Sequence, residues 1–251
     1  MSPDEMEGSR PMEVKRANVG SEKVLVVSTG KQELDRKLGG GIPRGSLCLV
    51  EGQSDAGKSV LVQQFTYGSL MEGLAVNYYS TENTIRSLLI QMESLGLPVL
   101  DYLLLGMMRI YPIQMIPNKK ETALMFEALL DHYKAQKADI IVIDSLTNLA
   151  MYSQPEDLLG FFHACKALCD SGTTMFLTVH SQALDKEMLT RLCSLCDAHL
   201  HLRIEEVGSS LRKILEVSKV RGALKTTGNL VSFDVEPNLG MRVFPIAQAR
   251  A

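Results

Sequence analysis

The sequence predicts an α/β fold: a mostly parallel sheet flanked by helices, with antiparallel strands at its C-terminal edge. Three observations predict it. Short apolar runs alternate with longer amphipathic segments from about residue 46 to residue 181, the pattern of strands joined by covering helices. The segment ADIIVIDS (138–145) is apolar through its centre, as a strand buried on both faces must be. Three late segments, HLHLRIEE (199–206), SLRKILEVSK (210–219) and NLVSFDVE (229–236), alternate with period two instead, which marks antiparallel strands at a sheet edge.

The first twenty residues, MSPDEMEGSRPMEVKRANVG, are polar and charged without apolar periodicity. They read as a flexible arm, leaving 21–251 as a single domain. SLCLVEG (46–52) is a buried strand and Lys58 to Leu70 the helix after it. LAVNYYSTE (74–82) is a second strand, followed by a helix that runs through Met92 to Leu95. RIYPI near residue 110 is a further strand, Glu121 to Ala135 an amphipathic helix, Asp157 to Asp170 another, and TTMFLTVHS (173–181) a strand. No internal repeat interrupts this order.

Composition narrows the function classes. A net charge of -3 in 251 residues gives no global attraction to nucleic acid. No run approaches the roughly 18 apolar residues that cross a bilayer, and the N-terminus lacks the basic-then-apolar order of an export signal. Five cysteines, an odd number at mostly core-like positions, fit a reducing cytoplasm better than a disulfide framework.

The stretch GQSDAGKS (52–59) carries the chemistry. A loop between a strand and a helix aims successive backbone N–H groups at one point, and the helix N-terminus adds partial positive charge. Gly52 and Gly57 permit the tight path. Gln53, Ser54, Asp55, Ala56 and Val60 complete the cradle. Lys58 is expected to reach the β- and γ-phosphates and Ser59 to bind Mg²⁺ through its hydroxyl. Asp55 is out of place in an anion cradle, and faces solvent, a neighbouring subunit or a cation. Asp144 ends the apolar strand, which is expected beside the strand that feeds the loop. There it acts as the Mg²⁺ carboxylate or caps the next turn.

STGKQELDRKLGGGIPRGSL (28–47), together with EGQSDAGKSVLVQQF, resembles the opening of RecA-like ATPases of the KaiC class. It is most similar to the single-domain, archaellum-associated branch of that class, over most of residues 24–245. The resemblance implies a RecA-like P-loop core that binds ATP with Mg²⁺ and assembles as a homo-oligomeric ring, a hexamer. It also implies a cytoplasmic location at the base of the archaeal swimming filament, with the motor ATPase and the membrane platform protein as partners.

The same resemblance assigns further residues. Glu82, at the end of the strand after the loop helix, corresponds to the group that orients the attacking water. Where KaiC-type sites often show two adjacent carboxylates, Asn83 follows here, and asparagine cannot take a proton; slow turnover is expected. Glu82 reads alternatively as a first-turn helix carboxylate. Lys219 and Arg221 match a Lys-x-Arg pair that reaches the neighbour's γ-phosphate, and read alternatively as solvated edge residues. His180 or Gln182 falls where such proteins place a phosphate sensor, or caps a loop.

Two features invite sharper readings. CSLCDAHLH (193–201) offers Cys193, Cys196, His199 and His201, but these ligands run along one segment, whereas zinc needs a loop to wrap it; core packing is expected. Arg203, Arg212, Lys213, Lys219, Arg221 and Lys225 cluster late, yet Glu205, Glu206 and Glu216 interleave, which weakens a nucleic-acid track. The leading expectation is an ATP-binding switch in the archaellum motor. A RecA-like DNA-repair ATPase and a self-phosphorylating regulator are the alternatives.

Overall fold

The computed structural model describes residues 26–114, 118–207, 210–223 and 230–244. The arm read at 1–20 and Lys225 lie outside these residues. Strand β1 (Val26–Val27) pairs antiparallel with β2 (Ile42–Pro43) across helix α1 (Gln32–Lys37). Strand β3 (Leu47–Gly52) leads into α2 (Lys58–Met71), followed by β4 (Val76–Ser80), α3 (Ile85–Ser94), α4 (Leu100–Leu104) and β5 (Met108–Pro112). Then come α5 (Lys119–Ala135), β6 (Ile140–Asp144), α6 (Thr147–Tyr152), α7 (Pro155–Asp170), β7 (Thr174–His180) and α8 (Lys186–Leu195). Strands β8 (Ala198–Val207), β9 (Ser210–Val220), β10 (Leu230–Glu236) and β11 (Gly240–Phe244) follow.

The main sheet runs β11-β10-β9-β8-β3-β7-β6-β4-β5. All pairs from β8 to β5 are parallel, and those from β8 to β11 are antiparallel. This is the expected α/β architecture, a mostly parallel sheet with antiparallel strands at its C-terminal edge. Strand β8 belongs to both sets, parallel to β3 and antiparallel to β9. One placement differs: β6 does not flank β3, because β7 lies between them. Asp144 nevertheless faces the loop, since both strands end on the same edge.

Strands β3, β4 and β6 are buried along their whole length, which explains why β6 reads as a continuous apolar run up to Asp144. Alternate side chains feed two cores. One holds Val50, Val142 and Phe176 beneath α2 and α3; the other holds Leu49, Ile143 and Leu177 against α5, α7 and α8. Phe65 on α2 stacks on Phe176 of β7, with ring centroids 4.5 Å apart, so the helix that opens on the phosphate loop is fixed to the sheet centre. The STG…LD segment has its own structural role. The Asp35 carboxylate accepts from Ser28 Oγ at 2.6 Å, Thr29 N at 2.8 Å and Thr29 Oγ1 at 2.7 Å, tying the loop before α1 to the helix.

Candidate functional site

The loop between β3 and α2 has the shape the motif requires. Gly57 takes φ +98° as the residue before α2, and an added Cβ would stand 3.2 Å from the Phe233 ring. At Gly52 a Cβ would lie 2.4 Å from the Leu202 carbonyl oxygen, so the parallel neighbour β8 demands glycine there. Asp55 has φ +57°, a left-handed conformation that aspartate tolerates better than most residues. It is exposed, and its carbonyl accepts from Lys213 Nζ of β9. Gln53 and Ser54 are also exposed, and Ala56 is fully buried.

Lys58 Nζ donates to the carbonyls of Gly52 at 3.1 Å and Gln53 at 2.7 Å. Burial pulls its pKa below the usual lysine value, while Glu82, Asp144 and Asp55 act in the opposite sense. Ser59 Oγ donates to Asp144 Oδ1 at 3.0 Å. The same oxygen accepts from Thr178 Oγ1 at 2.8 Å, and Asp144 Oδ2 accepts from Tyr78 OH at 2.7 Å. Burial raises the Asp144 pKa, the three hydroxyl donors lower it, and nearby Glu82 adds to the rise. Burial also pushes the Tyr78 phenol far up, so it stays a donor.

Glu82 and Asn83 line the same cleft of about 530 Å³ as Lys58, Ser59, Asp144 and His180. Glu82 does not lie in the first turn of α3. Thr84 is the N-cap, accepting from Ser87 N at 3.2 Å. Glu82 Oε1 instead accepts from Ser145 Oγ at 2.8 Å, and Thr81 Oγ1 donates to the Ser145 carbonyl at 2.9 Å. The alternative helix-terminus reading of Glu82 therefore fails. His180 sits at the end of β7; its backbone N–H donates to Thr147 Oγ1 at 3.0 Å, and the Gln182 N–H donates to its Nδ1 at 3.3 Å. Gln182 is exposed.

Lys219 and Arg221 lie elsewhere. Lys219 pairs with His199 on β8, level with Leu49 of β3 and so three residues before Gly52. At about 3.3 Å per residue that is roughly 10 Å below the loop. Lys219 Nζ donates to the Cys193 carbonyl at 2.9 Å and the Cys196 carbonyl at 2.5 Å; Arg221 reaches the Ser194 carbonyl at 3.3 Å. Both cations thus cap the C-terminal end of α8, where the helix dipole is negative.

The donor set fits a nucleotide with Mg²⁺. The two glycines let the loop pack against Leu202 and Phe233, a helix N-terminus opens onto the cleft, and a hydroxyl and a carboxylate stand together at its rim. A bound Mg²⁺ would supply charge neutralisation at the phosphates. A family model described as the KaiC ATPase matches residues 27–248. The archaeal flagellar ATP-binding protein FlaH of Sulfolobus acidocaldarius is 33% identical over 230 residues, covering 90% of this chain and 100% of that protein. The chain belongs to the KaiC-type ATPases and, among them, to the FlaH family. FlaH of Methanocaldococcus jannaschii is 28% identical over 90% of this chain and 97% of its own. The crystal structure of the flagellar accessory protein FlaH from that organism superposes with a TM-score of 0.75 at 26% identity, covering 88% of this chain and 99% of that one.

Sequence reasoning missed Tyr78, Thr178 and Ser145 as partners of the two carboxylates. Thr178 carried a signal, a polar residue inside the apolar run MFLTVH; Tyr78 carried none. Replacing Tyr78 with Phe leaves Asp144 Oδ2 without its buried donor. A stability loss of about 1–2 kcal/mol is expected, read by urea denaturation.

Proposed function

We propose that the chain is the nucleotide-dependent assembly switch of an archaellum motor, forming a ring of copies, a hexamer, with slow turnover. The names of its relatives support the archaeal flagellar setting. Residues 52–60 hold the phosphates of ATP, Ser59 and Asp144 hold Mg²⁺, and Glu82 orients the attacking water. Glu82 is bonded to Ser145 and followed by Asn83 rather than by a second acid, which supports slow hydrolysis. The motor ATPase and the membrane platform protein are its partners at the cytoplasmic face of the membrane.

The observation that carries the reading is the position of Lys219 and Arg221. They sit below the chain's own loop, so any contact they make with a γ-phosphate is with a neighbour's. ATP then binds the assembled state better than the free chain and shifts the equilibrium toward the ring. Arg203 pairs with Glu205 and Glu216, and Arg212 with Asp234, so a DNA-tracking basic stripe gains no support.

Light scattering with and without Mg-ATP, alongside phosphate release, tests this. Wild type should gain mass with Mg-ATP. The Lys219→Ala/Arg221→Ala chain should bind ATP within about threefold of wild type yet fail to assemble, and a thermal melt reads the loss of the α8 carbonyl contacts that both side chains make within the chain. Assembly of that variant as in wild type would refute the switch.

A further inference from the structure

Glu51, Cys193 and His199 come together from three parts of the chain. Glu51 is the last residue of β3 before Gly52, Cys193 lies in the last turn of α8, and His199 is the second residue of β8. One carboxylate oxygen, the thiol sulfur and one ring nitrogen lie within 4.8 Å of one another. Glu51 is only 4% exposed. Its Oε2 is 2.9 Å from His199 Nε2. Its Oε1 accepts from Ser181 Oγ at 3.3 Å, with His201 Nε2 at 3.7 Å. We propose that Glu51, Cys193 and His199 bind a divalent transition-metal ion of zinc type, with solvent in the fourth position.

The donor chemistry selects the metal. One thiolate, one imidazole and one carboxylate suit Zn²⁺, whereas Mg²⁺ and Ca²⁺ take oxygen ligands. Bonds of about 2.0–2.3 Å in a tetrahedron put ligand atoms roughly 3.3–3.8 Å apart, so small side-chain shifts close the site. On binding, the Cys193 thiol gives its proton to solvent and ligates as thiolate. Without a metal, His199 interacts with both Glu51 and Cys193; a metal would take the same three groups as ligands.

The site differs from the zinc arrangement the Cys-x-x-Cys spacing suggests. Cys196 is fully buried in the core as expected. Cys193 is only partly buried, at the margin of that core, and comes near Glu51, a residue 148 positions from His199 in sequence. The consequence is mechanical. The metal would fasten the base of the phosphate loop to the last turn of α8, whose carbonyls hold Lys219 and Arg221.

The full-length chain, freed of metal by chelator, is titrated with Co²⁺ and then Zn²⁺. Wild type should show a near-ultraviolet sulfur-to-cobalt absorption saturating at one Co²⁺ per chain and bleached by Zn²⁺. The oxygen ligands at Ser59 and Asp144 cannot produce that band. Cys193→Ser, a one-atom change at a partly buried position, should abolish it. His199→Gln should weaken Co²⁺ binding at least tenfold, and serves if the serine variant fails to fold. No band in wild type, or a band unchanged in either variant, overturns the proposal.

Discussion

A Lys58→Ala chain is expected to bind Mg-ATP at least a hundredfold more weakly than wild type. The ammonium sits at the loop mouth and donates to two backbone carbonyls of that loop, Gly52 and Gln53. Phosphate oxygens are stronger acceptors than those carbonyls, and a charge-assisted hydrogen bond contributes about 1.5–3 kcal/mol. Two such bonds correspond to roughly two to four decades in affinity. Folding should change little, because the two carbonyls released lie at the edge of an open cleft and find water. Anisotropy of a fluorescent ATP analogue reads the affinity, and a thermal melt reads the fold. Unchanged affinity in a folded variant would remove Lys58 from the nucleotide site. If the assembly switch is also right, this chain stays unassembled at Mg-ATP concentrations that saturate wild type.

Much of this site was legible because its chemistry is local. The loop needs a strand before it, a helix after it and glycine at two places, and all of that lies within residues 46–70. The long, fully buried strands were legible for a related reason: burial on both faces leaves no polar alternation to misread. Short elements escaped. Strands β1 and β2 have two residues each, and α4 has five, too few for any period to register. Helix α8 was missed although Asp185 caps it, accepting from Met188 N at 2.7 Å, and Met188, Leu189, Leu192 and Leu195 pack on the second core. What no local pattern could supply is the set of side chains that meet across the sheet. Tyr78 and Thr178 approach Asp144 from the two strands flanking β6, and Glu51 meets Cys193 and His199 only because β8 lies parallel to β3. The expectation that β6 flanks β3 failed likewise, since strand order is set by how the crossovers wind and not by sequence proximity.

Asp144→Asn is expected to separate folding from function. Asp144 is 3% exposed, and burial raises its pKa despite three hydroxyl donors, so the ionised carboxylate is less favourable in the folded chain than in the unfolded one. Asparagine keeps the shape and one acceptor oxygen for Ser59 and Thr178. Its amide can donate to Tyr78 OH in place of accepting from it. Nucleotide-free stability at neutral pH should therefore rise by about 1 kcal/mol. The Mg²⁺-dependent part of ATP affinity should fall ten- to a hundredfold, since a neutral amide is a poor Mg²⁺ ligand. The pH dependence follows from the sign of the shift. A carboxyl with a raised folded pKa binds protons in the native state first, so wild type gains stability as pH falls through that raised value toward the ordinary aspartate range. The variant lacks this gain, and its advantage should shrink over the same interval. Urea denaturation of both chains across that interval checks the point; an asparagine variant less stable than wild type at neutral pH would mean that the buried charge is net stabilising.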